Sequence, residues 1–300
     1  MSMFKERERC CEATFLDGEP YWHAYTSGKE TPLLFSLEAD FVFVMNVIAQ
    51  AAALFPEVRI IAFEVMNNHF HFVVSSEEKA VLAFWEFISK RLARVFPLKK
   101  GLKVTLKPIG DLVALRNNIV YTNRNGYVAS PVHTPFSYPW GTGRYYFLDW
   151  PRGKALAQIF VDDRRKLFRC RTPMLPGEWE VVGGYVAPWS YCSVKFGMAM
   201  FRDAHNYFMM VSKNVEAYAE LAAGLDDGEF LTDTELFVRL SVLVRSNYDV
   251  SSIKDLTKPQ RFDLARKLRY EFRSSNGQIR RVLGLSQYEI DSIFPLAAGR

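Results

Sequence analysis

Two apolar runs, Val58–Met66 and His69–Val74, flank the pair Asn67-Asn68, and this arrangement constrains the fold more than any other feature of the chain. The first is rich in Val, Ile and Phe, and the second in Phe and Val. A short polar turn between such runs reads as an antiparallel hairpin. Asparagine tolerates left-handed backbone angles, which makes Asn67-Asn68 a natural turn pair.

Around the hairpin, strand-like and helix-like patterns alternate. Tyr21–Thr26 is short and aromatic, ends at Ser27-Gly28, and reads as a strand. Leu37–Phe55 carries apolar residues at helical spacing, with Glu38, Asp40, Asn46 and Gln50 as polar relief. Glu77–Phe96 reads as a helix closed by Pro97, Lys103–Lys107 as a strand, and Asp111–Arg124 as a helix that stops before Gly126. The order βαββαβα predicts an α+β class: a ferredoxin-like antiparallel sheet with helices on one face.

Residues 131–195 are irregular and rich in Pro, Gly and Trp, and residues 196–245 return to helical patterning. The predicted divisions are 1–145, a connecting region 146–245, and 246–300. In the last of these, Pro259–Phe272 and Gly277–Leu283 are helical, Gly284 breaks the pattern, and Ser286–Phe294 follows. Ser286-Gln287-Tyr288-Glu289 has the S-x-x-E form of a capping box. Helix, glycine turn and capped helix fit a helix-turn-helix, and also an ordinary small helical subdomain.

The formal charge is only +5, but it is unevenly spread. Asn214–Val238 holds seven acids and no base, whereas Lys254–Arg281 holds nine bases against three acids, a net of +6. A basic segment of this kind suits a polyanion, or a solvated helix face. Arg273, Arg280 and Arg281, with Gln287 and Tyr288 on the second helix, are the candidate DNA contacts there, although Glu289 and Asp291 share that helix. Lys90, Arg91 and Arg94 fit either a DNA path or a solvated face. The longest apolar stretch, Phe41–Phe55, is interrupted by Asn46 and Gln50 and is too short to span a bilayer. The charged N-terminus has no apolar run behind it, and the four cysteines have no CxxC spacing. A cytoplasmic chain with reduced thiols is expected.

His69 and His71 sit at i and i+2 of a predicted strand and therefore face the same side, while Phe70 and Phe72 enter the core. Two neutral imidazoles on one face can hold a divalent cation if a further ligand comes from elsewhere. They are equally compatible with a solvated strand face. Asn117, Tyr121 and Asn125 fall at i, i+4 and i+8 of the predicted Asp111–Arg124 helix and its end. Tyr121 is either a nucleophile brought to a metal or a core tyrosine. A tyrosine nucleophile needs a cation or base beside it. His23, in the first strand, reads as a packed or edge histidine.

Val65-Met66-Asn67-Asn68-His69-Phe70-His71-Phe72-Val73-Val74 resembles the M-P-N-H-x-H signature of single-tyrosine HUH transposases, in particular the bacterial REP-associated tyrosine transposases. Tyr121-Thr122-Asn123-Arg124-Asn125-Gly126-Tyr127-Val128 is similar to that family's Y-[IV]-x-x-N-P-x-x-A-x-[LV] helix end. Tyr138-Pro139-Trp140 is similar to its W/Y-x-W-S-S segment, and Tyr21–Gly28 to its first strand and turn. The resemblance spans roughly residues 10–145, and long members carry a C-terminal helix-turn-helix. Asn67 and Gly126 stand where the family has proline, which predicts a looser helix end at Gly126.

The resemblance implies an HUH nuclease sheet in which His69, His71 and Asn125 bind Mg²⁺ or Mn²⁺. Tyr121 would attack the scissile phosphate of single-stranded DNA, leaving a 5′-phosphotyrosine and a free 3′-hydroxyl. The implied partner is a DNA hairpin or repeated palindrome, with no membrane, and the implied state is a monomer or a homodimer. In some relatives the tyrosine helix is swapped between protomers. The alternatives are a non-enzymatic DNA-binding protein on an inactive HUH domain, and an unrelated metal-dependent hydrolase using the His69/His71 pair.

Overall fold

The computed structural model describes residues 3–16, 20–27, 34–96, 98, 101–129, 133, 136–170, 175–213, 221, 225, 233–270, 272, 274 and 276–294. The hairpin forms where the apolar alternation places it. Strand β2 (Arg59–Val65) pairs antiparallel with β3 (Phe70–Ser75) from Val65↔Phe70 to Arg59↔Ser75, with a bulge between Ile60 and Ala62. The Met66 N–H donates to the His69 carbonyl at 2.9 Å and closes the turn. The turn at Asn67-Asn68 forms without left-handed backbone, since neither residue has positive φ. The Asn67 carbonyl instead accepts the amides of Leu34 and Phe35 at 3.0 and 2.9 Å, so a neighbouring segment holds the turn.

Strand β1 (Tyr21–Thr26) pairs with β3 on one side and β4 (Val104–Ile109) on the other. The sheet is antiparallel throughout, in the order β2-β3-β1-β4. Strand side chains alternate between faces. Phe70 and Phe72 point to one face, where they meet Trp85 and Phe84 of α3 (Glu78–Ala93). Helix α2 (Glu38–Leu54) packs beside α3. His71 points to the other face, against α4 (Leu112–Ala129). The expected pair of helices therefore covers one face, and a third helix covers the other. Helix α4 runs past the predicted stop before Gly126.

Helix α1 (Met3–Leu16), absent from the predicted order, is tied to α4 by Arg116. That buried guanidinium donates to both Glu8 carboxylate oxygens, at 2.7 and 3.3 Å, and to the Met200 carbonyl at 2.5 Å. Its hydrogen bond and charge hold the Glu8 carboxyl below the usual glutamate range.

Residues 1–126 and 133–221 form one compact unit, and residues 127–132 and 222–300 a second. The irregular stretch lies in the first unit. It contributes α5 (Val161–Phe168), α6 (Val194–Ala199), α7 (Ala204–Lys213) and a small sheet of β5 (Lys154–Ala155), β6 (Glu180–Val182) and β7 (Tyr185–Val186). Two polar residues of α2 are the anchor rather than solvent-facing relief. Asn46 is fully buried; its amide donates to the Leu167 and Gly184 carbonyls and accepts from the Val186 N–H at 3.0 Å. Gln50 donates to the Phe168 carbonyl.

In the second unit, α8 (Asp233–Tyr248), α9 (Lys258–Tyr270), α10 (Asn276–Leu283) and α11 (Gln287–Ile293) enclose their own core of Leu240, Leu264, Leu268, Ile279 and Ile290. Gly284, at φ +64°, makes the turn before α11. The capping box forms: the Ser286 Oγ accepts the Glu289 N–H, and the Glu289 carboxylate accepts the Ser286 N–H. Of the acidic run, Glu216, Glu220, Asp226, Asp227 and Glu229 lie outside the described residues. Among the described residues no helix is long and apolar enough to cross a membrane, and all four cysteines are free thiols.

Asn46→Leu keeps the volume but strands three backbone groups. Each buried orphan costs about 1–3 kcal/mol. The variant is expected to lose roughly 3 kcal/mol or more of unfolding free energy in urea titration; a loss below about 1 kcal/mol would mean that Asn46 does not anchor the small sheet.

Candidate functional site

The face of the sheet under α4 gathers polar residues that a solvated strand would send to water. His23, His69, His71, Tyr121 and Asn125 are each no more than 1% exposed, which removes the solvated-face alternative for the histidine pair. The His69 and His71 rings meet edge-to-face, with centroids 5.0 Å apart. The Tyr121 ring lies 5.4 Å from His71 and 5.8 Å from His23, edge-on to both. Tyr25, opposite His71 in the β1–β3 register, stacks beside it at 6.3 Å. The structure thus brings Tyr121 and the two histidines together within one chain.

Each imidazole of the pair has its Nδ1 engaged. The His69 Nδ1 lies 2.7 Å from the Asn68 Oδ1. The His71 Nδ1 lies 3.1 Å from the Nε2 of His23, whose own Nδ1 lies 2.6 Å from the Asn118 Oδ1. His23 is thus packed, as expected, but packed into the site. The amide that meets it belongs to Asn118, the neighbour of the Asn117 in the predicted stripe.

Glu64 is the residue that sequence reasoning passed over. It pairs with His71 in the hairpin register, is buried, and accepts the Gly126 N–H through Oε2 at 2.8 Å. Its Oε1 has no hydrogen-bond partner among the described residues. Burial holds its carboxyl well above the usual carboxylate range. A signal was available: a two-residue turn at Asn67-Asn68 pairs 65 with 70 and therefore 64 with 71.

The segment after α4 locks this arrangement. Residues 138–142 run beside β2, with the Val65 N–H donating to the Trp140 carbonyl and the Thr142 N–H to the Phe63 carbonyl. Tyr138 donates to the Val65 carbonyl at 2.7 Å, and Thr142 donates to Asn123 of α4 at 2.7 Å. Asn123 in turn donates to Tyr207 at 3.1 Å. Burial raises the Tyr138 and Tyr207 phenols above the ordinary tyrosine range. Gly126 lies against the Tyr138 ring so closely that a Cβ would come within 2.2 Å of it. The expected looser helix end is not found, because Glu64 and Tyr138 clamp Gly126 from two sides.

The other candidate residues lie elsewhere. Lys90, Arg91 and Arg94 belong to α3 and its cap, across the sheet from His71. Lys90 pairs with Glu86 at 2.6 Å, Arg91 donates to the Phe168 carbonyl at 2.9 Å, and Arg94 is exposed. In the second unit Arg280 donates to Gln287, Gln287 donates to Asp291, and Arg281 and Tyr288 are exposed. Arg273 lies outside the described residues.

As a metal centre the site offers two imidazoles with both Nδ1 atoms engaged, the donor set of half a divalent site. Among the described residues no three His, Cys, Asp or Glu side chains come close enough to hold an ion. A third protein ligand would have to be another group.

No family model matches the chain, and no curated protein matches it. Among solved structures, that of a REP-associated tyrosine transposase bound to a REP hairpin is similar at 16% identity with a TM-score of 0.37, covering 43% of this chain and 80% of that one.

Gly126→Ala should gain about 1 kcal/mol from helix propensity alone. The Tyr138 ring occupies the space a Cβ needs, so the opposite sign is expected: a net loss of about 1–3 kcal/mol in urea unfolding. A more stable variant would show that the clamp on Gly126 is not tight.

Proposed function

We propose that the chain is a single-tyrosine DNA strand-cleaving and joining enzyme of the HUH type. The contact between Tyr121 and His71, on the face that also carries His69, is the observation that carries it. A phenol and two imidazoles packed together would supply a nucleophile and part of a cation site.

In the proposed reaction the Tyr121 oxygen forms a bond to the scissile phosphorus of single-stranded DNA and loses its proton. The P–O3′ bond breaks, and the departing 3′ oxygen takes up a proton. The 5′ end stays on Tyr121 as a phosphotyrosine, and attack by a 3′-hydroxyl reverses the step. His69 and His71, with Asn125, would hold Mg²⁺ or Mn²⁺. When bound, the cation would offset charge on the phosphate and favour ionisation of the phenol. Helix α4 holds Tyr121 against the imidazoles, so the nucleophile is oriented before substrate arrives.

Burial of Tyr121 and both histidines means that this conformation is closed, and a phosphate reaches Tyr121 only after the face opens. The same burial is what a DNA-binding protein on an inactive HUH domain would show, and that is the second reading. In either case the exposed arginines of α10, Arg280 and Arg281, are proposed to contact phosphates, with α10–Gly284–α11 acting as a helix-turn-helix.

Incubation of the protein with single-stranded hairpin oligonucleotides from the DNA flanking its gene, with Mn²⁺ or Mg²⁺, is expected to give a covalent protein–DNA band on a denaturing gel. Tyr121→Phe should abolish the band and retain binding. Binding without a band in the unmutated protein would favour the inactive domain, and cleavage without an adduct would favour a hydrolase. Affinity should fall steeply with salt. Arg280→Ala with Arg281→Ala should reduce the log–log salt slope by about 2, the counterions released at two phosphates; an unchanged slope would remove α10 from the DNA interface.

A further inference from the structure

The hydrogen bonds behind the histidine pair have a direction. Asn118 contributes both ends of its amide. The Nδ2 donates to the Ala114 carbonyl at 2.8 Å, and a carbonyl can only accept. The Oδ1 therefore faces the His23 Nδ1 at 2.6 Å and must accept, so the proton of the bond sits on the His23 Nδ1. With His23 neutral, its Nε2 then carries a lone pair, and this is the atom 3.1 Å from the His71 Nδ1. With His71 neutral, the remaining proton must lie on its Nδ1. Its Nε2 is left with the lone pair that a cation needs.

We propose that His23, itself set by Asn118, is a positioning residue that selects the Nδ1–H tautomer of His71 and thereby presents the His71 Nε2 as a metal-ligand atom. The order of control runs from the Ala114 carbonyl through Asn118 and His23 to His71. Three of these four belong to α4 or β1, so the element that carries Tyr121 also sets the chemistry of a histidine on β3. His69 reaches the same tautomer by a shorter route, since its Nδ1 meets the Asn68 Oδ1 at 2.7 Å. The inference rests on the proposed cation site in one respect only: the tautomer is a property of the metal-free protein, and its use is metal binding.

Both parts can be measured without turnover. In full-length, metal-free protein labelled with ¹⁵N-histidine, long-range ¹H–¹⁵N correlation spectra report which ring nitrogen carries the proton, and loss of one signal set in His71→Asn assigns His71. The expected result is a protonated Nδ1 and a bare Nε2. A His71 protonated on Nε2 in the unmutated protein would overturn the proposal. His23→Gln keeps an acceptor at the position of Nε2, whereas His23→Leu removes it. The leucine variant is expected to shift His71 toward the Nε2–H form and to weaken Mn²⁺ binding, read by calorimetry, about 10- to 100-fold. The glutamine variant should restore both. A leucine variant with native near-ultraviolet circular dichroism, unchanged tautomer and unchanged affinity would also overturn the proposal. If the unmutated protein shows the expected tautomer and His23→Leu loses it, yet no Mn²⁺ binds, the positioning role stands and the proposed cation site falls.

Discussion

Helix α4 docks on the sheet through polar groups, and the rest of the first unit is arranged around that contact. Burying imidazoles and a carboxyl between a helix and a sheet costs several kcal/mol unless each finds a partner. Asn118 answers His23, His23 answers His71, and the Gly126 N–H answers Glu64. A helix that merely covered an apolar face could slide or rotate by a residue at small cost. One bound at these atoms has a single register, because a rotation of 100° would separate both of the contacts that α4 itself makes, Asn118 to His23 and Gly126 to Glu64. Tyr121 is placed by that register, between the Asn118 and Gly126 contacts, with its ring on His71.

The outer contacts of α4 reinforce the same geometry. On the N-terminal side Arg116 ties it to Glu8 and the Met200 carbonyl. On the C-terminal side Asn123 binds Thr142, whose Oγ1 also accepts the Phe63 N–H of β2. Segment 138–142 therefore works as a strap from the end of α4 back to the sheet edge beside Glu64. Its fit requires small residues where backbones approach: a Cβ on Gly141 would come within 2.7 Å of the Phe63 carbonyl. Val58–Met66 carries one acid in an apolar run, and that acid joins the strap, the helix and the histidine strand.

The parts of this design that follow local periodicity were legible in the sequence. The hairpin, the opposite facing of His71 and Phe70, and the Ser286–Glu289 capping box each depend on spacing within a few residues. The parts that depend on partners distant in the chain were not. His23 meets His71 only because β1 lies next to β3, and nothing within Tyr21–Thr26 specifies that neighbour. Asn118 and Asn117 are adjacent on one helix, and which of them faces the sheet is a matter of helical phase that a stripe drawn through Tyr121 and Asn125 leaves open. Asn46 and Gln50 look like solvent-facing relief in an apolar helix until β7 and the end of α5 supply the backbone groups that they bind. Glu64 lies between these cases, since its register was readable and its burial was not.

The same fastenings bear on how the proposed site would open. Moving α4 away from the sheet would break the Arg116, Asn118, Asn123 and Gly126 hydrogen bonds together, at about 1–3 kcal/mol for each buried group left orphaned. That is a large share of the 5–15 kcal/mol by which a domain is usually stable. Access to Tyr121 by departure of its own helix is therefore the expensive route, and it would also dissolve the contacts that orient His71. An opening that leaves α4 in place and displaces only what covers the ring edges keeps the tyrosine, the imidazole and its tautomer assembled.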